Sequence, residues 1–400
     1  MLKNNYDIAI VGGGIIGLST AYVLQKKFPF LNLLVLEKES ELAFHQTGRN
    51  SGVIHSGLYY KPGSQRSLHC IKGRKQLISF ARNHDVKFDV CGKLVVATNE
   101  DEVERLYNLK INGAKNSLDK LELLDRVDYN KIEPYIQGKK ALWVPHSGII
   151  DYKDFTNKLY KNVIALNSQS KIITSCKVLD YKNDIITSKG IYSAKHIIFC
   201  GGLFADRLAQ KDGAILNMQT VGFRGDYYKL ANHAKYKIKN LVYPVPNPKF
   251  PFLGVHFTRT VSGDIECGPN AVFTFKREGY KKFAFSFRDS YQALTFKGTW
   301  KLFINNWKFG LDEYKKAFVK YLFLKELQKI VPSLEMKDII KSRSGVRAIA
   351  LSDKGELIDD FRIVNTNNNI HVLNAPSPAA TSCLAIAETI MERTKKEFNL

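Results

Sequence analysis

The stretch IAIVGGGIIGLSTAYVL at residues 8–24, followed by LNLLVLEK at residues 31–38, decides the fold of this 400-residue chain. Its apolar and glycine pattern predicts a strand, a tight turn, a helix and a second strand that ends on an acidic residue. These parts follow one another as they do in a βαβ unit that binds a dinucleotide. The sequence therefore predicts an α/β fold with an adenine dinucleotide at the glycine turn.

Five residues of this unit are the expected contacts with the dinucleotide. Gly12 permits the turn, and Gly14 lets backbone N–H groups approach the pyrophosphate at the positive N-terminus of the helix. Gly17 lets the helix lie close to the strand. Glu37, which is followed by Lys38, is expected to accept hydrogen bonds from the ribose hydroxyls.

The motif does not separate NAD from FAD, because both present the same ADP half to the same βαβ unit. The unit starts at Tyr6, and more than 300 residues follow it. This length leaves room for a flavin bound by a discontinuous domain, which favours FAD without deciding the choice.

Composition indicates a globular enzyme with two domains, since 400 residues with 44% hydrophobic content are ample for a full core. No apolar run approaches the length of a membrane span, and MLKNNYD at the N-terminus lacks the plan of a signal peptide. We therefore expect a cytoplasmic protein. The six cysteines are far apart without a C-x-x-C pair, which predicts free, mostly buried thiols and no metal site.

The net charge of +22 suggests nucleic acid, an anionic membrane or an acidic substrate as a partner. However, 45 of the 60 basic residues are Lys, and no block of five like charges occurs, so the pattern disfavours nucleic acid. Because Arg is scarce, an Arg in a glycine-rich or aromatic context is a good candidate for binding a carboxylate.

The later part of the chain predicts a second domain. Alternating apolar runs from Thr220 to about Thr299, with the turn clusters PVPNPKFPF and VSGDIECGPN, predict an all-β region that covers a substrate. Trp300–Val331 then predicts a basic, aromatic helix. Packing of its apolar stripe on its own domain is favoured, and a membrane-surface helix is the alternative. The stripe consists of Trp300, Ile304, Trp307, Leu311, Tyr314, Phe318 and Leu322.

Longer strings carry a more specific resemblance. The strings are HQTGRNSGVIHSGLYYKPGS, CGKLVVAT, VPHSGIIDY, FRGDYYKL, LVYPVPNPKFPFLGVHFTR, GPNAVFTFKREGY and LNAPSPAATS. With them, the chain closely resembles the L-2-hydroxyglutarate oxidases and dehydrogenases of the D-amino-acid-oxidase-like flavoprotein superfamily over nearly its whole length. The resemblance implies bound FAD, oxidation of (S)-2-hydroxyglutarate to 2-oxoglutarate, and re-oxidation by membrane quinone or oxygen. It also leaves peripheral contact with the inner face of the membrane as an expectation.

The expected architecture is a Rossmann-type FAD-binding domain interleaved with an antiparallel β-sheet substrate domain. We assign residues 1–90, 146–218 and 335–400 to the first domain, and 91–145 and 219–334 to the second.

Position and resemblance add further contacts to the cofactor. In the polar loop after the βαβ unit, we expect Thr47, Asn50 and Ser51 to contact the pyrophosphate or flavin. The glycine pair Gly201 and Gly202 is expected to close over the dinucleotide. The segment before the last helix is expected to face the flavin, where the helix dipole stabilises negative charge; its residues are Pro376, Ser377, Ala379, Ala380 and Thr381.

Oxidation of a hydroxy acid needs a base near the hydroxyl and cations for the carboxylates. His55 and His256 are the favoured bases, because histidine titrates near neutrality. Arg347 resembles the carboxylate-binding arginine of the superfamily, and Arg259 and Arg224 are the next choices. Further candidates are His146 and Lys276 as bases, and Tyr59, Tyr60 and Tyr227 as hydrogen-bond donors to a carboxylate.

The chain departs from the family pattern at two positions. Arg49 stands where members usually carry His, and the segment at residues 345–350 reads GVRAIA rather than GVRAQA. Two other functions stay open at this point. One is an amino-acid or secondary-amine oxidase of the same superfamily, which differs only in the pocket, and the other is a flavoprotein that binds RNA.

Overall fold

The structure is a computed structural model that describes residues 5–182, 184–247, 254–366 and 368–400. Residues 248–253, which include most of the turn cluster PVPNPKFPF and the start of PFLGVHFTR, lie outside the described residues.

Most of the described strands have seven residues or fewer, and three strands of the two large sheets have ten or more. In chain order they are β1 (Asn5–Val11), β2 (Leu33–Leu36), β3 (Val53–Ile54), β4 (Phe88–Asp89), β5 (Lys93–Ala97), β6 (Glu122–Leu124), β7 (Lys140–Val144), β8 (Gly148–Ile150), β9 (Lys171–Ile173), β10 (Val178–Asp180), β11 (Ile185–Thr187), β12 (Gly190–Phe199), β13 (Met218–Leu230), β14 (Leu241–Pro244), β15 (His256–Arg259), β16 (Ile265–Gly268), β17 (Val272–Phe273), β18 (Ile339–Ser352), β19 (Arg362–Thr366) and β20 (Asn369–Asn374).

The helices alternate with strands at both ends of the chain and cluster after β17. They are α1 (Ile15–Lys27), α2 (Gln65–Asn83), α3 (Glu100–Lys115), α4 (Arg126–Ile132), α5 (Tyr152–Leu166), α6 (Ala205–Lys211), α7 (Phe287–Thr295), α8 (Lys297–Phe318), α9 (Lys320–Gln328) and α10 (Cys383–Glu397), with short 3-10 turns at Gly202–Phe204 and Asn232–Lys237.

The first sheet is built around the predicted βαβ unit. β1 lies between β12 and β2, and β2 continues to β9, all in parallel. The strand β20 pairs in parallel with the end of β12. Because helices cover the parallel centre of this sheet, the end of β1 and all of β2 are apolar, and Ile8, Ile10 and Leu33 are fully buried against α1, α5 and α10. The Rossmann-type fold is confirmed.

The second sheet is mostly antiparallel and has nine strands among the described residues. Its longest pair joins β13 and β18, from Met218 opposite Ser352 to Leu230 opposite Ile339. On the other side, β14 pairs in parallel with β5, which brings the chain near residue 93 beside the strands of residues 218–273. A third, small sheet contains β3, β8 and β4.

Strand pairing differs from the expected domain boundary at residue 335. Ile339–Ser352 forms β18 of the second sheet, because it pairs along its whole length with β13. The expectation from the sequence places this segment in the cofactor domain, because glycine and arginine spacing alone does not reveal which sheet a late strand joins. The chain returns to the first sheet only at β19 and β20.

The predicted all-β region also ends earlier than expected. Phe287–Thr295 is the helix α7, and Ser286 caps it by accepting a hydrogen bond from the Asp289 backbone N–H. The aromatic alternation suggested a strand here, but a Ser followed three residues later by an acid is a helix-start signal.

The prediction that the Trp300 stripe packs on its own domain is wrong. Trp300, Ile304 and Trp307 are 53%, 68% and 57% exposed, while Leu302 and Ala317, on other faces of α8, are buried. Sequence spacing located the helix but could not say which of its two apolar faces packs inward. Within the described residues, no helix is both long and apolar enough to cross a membrane. All six cysteines are free, and four of them are buried, as predicted.

Candidate active site

A cavity of about 1360 Å³ runs through the molecule from the glycine turn to side chains of the second sheet. This volume exceeds the 300–1,000 Å³ that is usual for a small-ligand pocket. A bound dinucleotide together with a substrate would require a cavity of this larger size. Its lining includes Gly12, Gly14 and Glu37 at one end, and His55, His256 and Arg347 elsewhere.

The glycines of the turn have different physical roles. A Cβ on Gly12 would lie 2.4 Å from the Cys200 carbonyl oxygen, and one on Gly17 would lie 2.0 Å from the Gly12 carbonyl oxygen. These two glycines are therefore required by the protein itself. In contrast, a Cβ on Gly14 would meet only the Thr47 hydroxyl, at 3.4 Å, and would otherwise project into the cavity. Gly14 thus keeps space for a ligand.

The acidic residue after β2 fixes this turn. Glu37 is buried, and its carboxylate accepts hydrogen bonds from the N–H groups of Gly13, at 2.7 Å, and Glu39, at 2.9 Å. Lys38 lies beside it and donates to Glu278 at 2.5 Å. Glu39, His45 and Glu278 bring potential metal-binding atoms close together, but the Lys38 ammonium already supplies a cation to both carboxylates.

The loop at residues 47–51 lines the cavity as expected. The Thr47 hydroxyl accepts from the Ile15 backbone N–H at 3.0 Å, at the first turn of α1. Asn50 donates to the Thr47 carbonyl at 2.8 Å and accepts from the Gly52 N–H. Ser51, Gly201 and Gly202 also line the cavity. The loop is therefore held in shape by its own side chains next to the dinucleotide end.

The segment before α10 divides into two parts. Ser377, Ala379 and Ala380 line the cavity, whereas Pro376 and Thr381 are not among its lining residues. The buried Thr381 hydroxyl instead accepts from the His55 backbone N–H at 3.0 Å and bonds the Tyr152 hydroxyl at 2.9 Å. Thr381 thus fastens the His55 loop to the start of α10.

His55 lies between two hydroxyl groups at the cavity wall. Its Nδ1 is 3.4 Å from the Tyr60 hydroxyl, and its Nε2 is 3.5 Å from the Ser377 hydroxyl. Burial, with Lys93 and Arg66 nearby, lowers the pKa of His55 to about 3. Its partial exposure is toward the cavity, and the ring is neutral at physiological pH.

His256 is held at the start of β15 and is 5% exposed. Its Nδ1 lies 2.8 Å from the Gly254 carbonyl oxygen, and its ring stacks on Tyr243 at 4.0 Å. Because a carbonyl only accepts, Nδ1 carries the proton and Nε2 keeps its lone pair. Burial lowers the pKa of His256 to about 4, against the opposing effect of the Gly254 hydrogen bond.

Of the three arginines favoured by sequence reasoning, only the first choice lines the cavity. Arg347 on β18 lines it with its side chain exposed to the open cavity, and desolvation by the surrounding cavity walls lowers the pKa of its guanidinium. Arg66 at the start of α2, which sequence reasoning missed, also lines it, lies 4.7 Å over the Tyr60 ring and donates to the Ser377 carbonyl at 2.5 Å. Arg259 instead pairs with Asp89, and Arg224 with Asp226 at 3.0 Å, and neither lines the cavity.

Lys93 is a second residue that sequence reasoning missed. It is 2% exposed, and its ammonium lies 4.3 Å from the centre of the Tyr59 ring and 5.0 Å from that of Tyr243. No carboxylate pairs with it in the described parts of the chain. Burial lowers the pKa of Lys93 to about 7. Its position in the β5 run KLVVA gave the only signal, because a charge inside a wholly buried strand is rare.

The remaining candidates are split between the cavity and the surface. Tyr59, Tyr60 and Tyr227 line the cavity, and burial raises the pKa of Tyr227 to about 12, so its hydroxyl stays protonated and can donate. His146 pairs with Asp119 at 2.5 Å, and neither His146 nor Lys276 lines the cavity.

Comparisons with known proteins agree with this geometry. The sequence model of the family described as FAD dependent oxidoreductase matches residues 7–393. The chain belongs to this FAD-dependent oxidoreductase family. It is 42% identical to L-2-hydroxyglutarate dehydrogenase of Indibacter alkaliphilus, over 98% of this chain and 100% of that protein. It is 41% identical to L-2-hydroxyglutarate dehydrogenase of Escherichia coli K12, over 98% and 93% of the two chains.

Solved structures agree on the fold. The FAD-bound L-α-glycerophosphate oxidase of Mycoplasma pneumoniae matches with a TM-score of 0.78 and 24% identity, over 99% of this chain and 95% of that one. The predicted fold, FAD cofactor and flavoenzyme class are thereby confirmed. The residues present fit FAD, because the space beside Gly14 and the cavity volume both provide for a dinucleotide.

The two departures from the family pattern lie in different surroundings. The Arg49 guanidinium lines the cavity and lies 4.0 Å over the Tyr280 ring, while its Nε donates to the Phe44 carbonyl at 3.2 Å. Ile349 packs against the cluster of Val221 and Leu351. The Arg49 side chain is therefore ordered by an aromatic ring, whereas Ile349 is partly buried at the edge of a core cluster.

Proposed function

We propose that the enzyme oxidises (S)-2-hydroxyglutarate to 2-oxoglutarate. The observation that carries the proposal is the charge distribution of the cavity. Arg66, Lys93 and Arg347 surround or approach the two neutral histidines. The described acids that line the cavity, Glu37, Glu39 and Glu278, are instead grouped around the glycine turn and Lys38. A dianion is attracted to the first region. The names of the 41–42% identical relatives support the same substrate.

We assign recognition of the two carboxylates to Arg347 and Arg66. Both guanidinium groups line the cavity, and a planar guanidinium can bind a carboxylate through two parallel hydrogen bonds. The neutral Tyr227 and Tyr60 hydroxyls can add donors to the same oxygens. Lys93, behind the rings of Tyr59 and Tyr243, adds positive potential without contacting the cavity. In this proposal the first sheet binds the cofactor and the second carries most of the substrate pocket.

When bound, FAD supplies the hydride acceptor, flavin N5. A neutral histidine then takes the hydroxyl proton of the substrate. His256 is our first choice, because its tautomer leaves the lone pair on Nε2. His55 is the second choice, because both of its ring nitrogens are near hydroxyl groups that orient it. Burial, with a smaller contribution from the adjacent cations, keeps both rings unprotonated above about pH 4.

We further propose that the electrons pass to membrane quinone or to oxygen. A cytoplasmic location with peripheral contact at the inner face of the membrane is part of this proposal. The contacts of Gly12, Gly14, Gly17, Glu37 and the other cofactor-lining residues with FAD are also proposals, based on the cavity that they line.

The test is anaerobic bleaching of the flavin absorbance in the purified holoenzyme. We expect rapid bleaching with (S)-2-hydroxyglutarate and little with its mirror image, malate or sarcosine. Bleaching by sarcosine instead would show an amine oxidase, and salt-sensitive RNA retention without bleaching would favour the RNA-binding alternative. His256→Gln and His55→Gln then identify the base, since the base variant should lose bleaching rate at every pH while its flavin content is retained.

A further inference from the structure

One surface of the enzyme is both apolar and basic, and it lies outside the cavity described above. We define the aromatic-basic face as the exposed side chains of residues 283–321, which include α7 and α8. Large apolar side chains on it are between 45% and 85% exposed, with Phe283 at 85% and Phe287 at 76%. Isolated exposed apolar residues are ordinary, but a cluster of this size marks an interaction site.

The cluster is continuous across the two helices. α8 is kinked at Asn306, and exposed apolar side chains four residues apart lie on each side of the kink, Trp300 and Ile304 before it and Trp307 and Leu311 after it. The Trp300 indole N–H donates to the Leu294 carbonyl at 2.7 Å, which joins this face to the end of α7. At the other end of α8, Phe283 and Phe318 rings lie 5.9 Å apart.

Basic side chains border the same face. Residues 281–320 contain nine Lys or Arg and three Asp or Glu. Those three acids, Asp289, Asp312 and Glu313, are paired with Arg207 or Lys316. Lys301, Lys308 and Lys315 recur every seven residues beside the apolar face, are exposed, and form no ion pair within the described ranges.

We propose that the aromatic-basic face docks on the surface of an anionic lipid bilayer. Exposed Trp side chains prefer the interface between headgroups and acyl chains, and flanking Lys side chains attract anionic headgroups. A second copy of the chain would set the same positive charges against each other. A single-stranded nucleic acid would use the aromatic rings but leave Ile304, Leu311 and Val319 exposed to water.

This inference builds on the membrane contact in the proposed function and gives it a location. Lipid binding is measured without turnover, so the result of this test does not depend on which substrate the enzyme oxidises. A docked orientation also puts α7, whose Arg288 and Gln292 line the cavity, next to the bilayer.

The experiment is flotation of the holoenzyme with vesicles of phosphatidylcholine alone or with one third phosphatidylglycerol. We expect binding to the anionic vesicles that weakens at high salt, with a blue shift of Trp fluorescence. The variant Ile304→Gln/Trp307→Gln/Leu311→Gln and the variant Lys301→Glu/Lys308→Glu/Lys315→Glu should each reduce binding about tenfold or more. The matched control Phe30→Gln/Val127→Gln/Ile215→Gln, at positions 70–99% exposed elsewhere, should bind like the unaltered enzyme.

Flavin content and dye-linked activity of each variant serve as the folding check, and both should be unchanged. Equal binding by the control and the Ile304/Trp307/Leu311 variant would overturn the proposal, as would the absence of binding to any vesicle. Concentration-dependent dimerisation that only this variant abolishes, or tight binding of a single-stranded RNA oligonucleotide that lipid does not displace, would replace the bilayer by that partner.

Discussion

At the glycine turn, the cavity is formed largely by backbone groups of residues 8–38, whereas at the substrate end it is formed by side chains from distant parts of the chain. Gly17 packs on the Gly12 carbonyl oxygen, and Glu37 accepts a hydrogen bond from the Gly13 N–H, while Gly12 itself lies against the Cys200 carbonyl oxygen just after β12. His55, Lys93 and Arg347 instead come from β3, β5 and β18 or their flanks. A local motif fixes the first region through steric limits on the backbone, while the second depends on how three sheets assemble.

The largest expected effect is at the glycine turn. In Gly17→Ala, the new Cβ would lie 2.0 Å from the Gly12 carbonyl oxygen, so the strand and helix must separate. We expect loss of bound FAD and a fall in the free energy of unfolding of ~3 kcal/mol or more. Flavin absorbance and thermal unfolding measure both quantities.

Gly14→Ala is the matched variant, because its Cβ meets only the Thr47 hydroxyl within the protein. It should lose FAD affinity while the unfolding temperature of the FAD-free protein changes little. Equal destabilisation by the two substitutions would contradict the separate roles given to Gly17 in packing and to Gly14 in leaving space for the cofactor.

The next effect concerns the carboxylate cations. Arg347→Met removes a guanidinium that lines the cavity, and we expect kcat/KM for the diacid to fall by about 100-fold or more, equivalent to ~2–5 kcal/mol. Arg259→Met is the control, since that side chain pairs with Asp89 at a partly exposed position and should cost about threefold or less. Steady-state kinetics of the two variants at the same FAD occupancy test this prediction. A larger loss in the Arg259 variant would reverse our assignment of the two arginines.

A smaller effect is expected for Lys93→Met. Loss of the buried charge should lower kcat/KM about tenfold, since the dianion loses an attractive potential. The acid limb of the pH profile should shift to higher pH, because Lys93 contributes to the lowered pKa values of His55 and His256. Burial remains the larger cause for both histidines, so the shift should be partial. An unchanged acid limb would exclude electrostatic coupling between Lys93 and the base.

The same residue predicts a pH dependence of stability. The pKa of Lys93 is lowered to about 7 in the folded state from 10.5, so the unfolded chain binds more protons between these values. The cost of burying the charge is therefore fully present below about pH 7 and is relieved as pH rises toward 10.5. Lys93→Met should be more stable than the unaltered enzyme at pH 6.5, and this difference should shrink at pH 9. Thermal unfolding of the holoenzymes at the two pH values measures it.

The last effect is expected at Thr381, which fastens the His55 loop to the start of α10 and acts on stability rather than on turnover. Thr381→Val removes the hydroxyl that bonds the His55 N–H and the Tyr152 hydroxyl, at a cost of ~1–3 kcal/mol in the free energy of unfolding. FAD content should be retained, because this side chain is not among the cavity-lining residues. Thr381→Ser should recover most of the stability, and loss of FAD from both variants would instead support a direct contact with the cofactor.

The sequence by itself determined the βαβ unit, because spacing along the chain controls turns, helices and strands directly. The FAD-dependent class and the candidates His55, His256 and Arg347 followed from residue chemistry together with the resemblance of longer strings to a known family. It also located the helix of Trp300. Tertiary structure decided that Arg66, rather than Arg259 or Arg224, lines the cavity with Arg347. It placed Lys93 behind the cavity wall and β18 in the second sheet. It also turned the Trp300 stripe outward. These outcomes depend on pairings between segments up to hundreds of residues apart. A local pattern of residue types does not specify which of two apolar faces, or which of several arginines, will be enclosed when those segments meet.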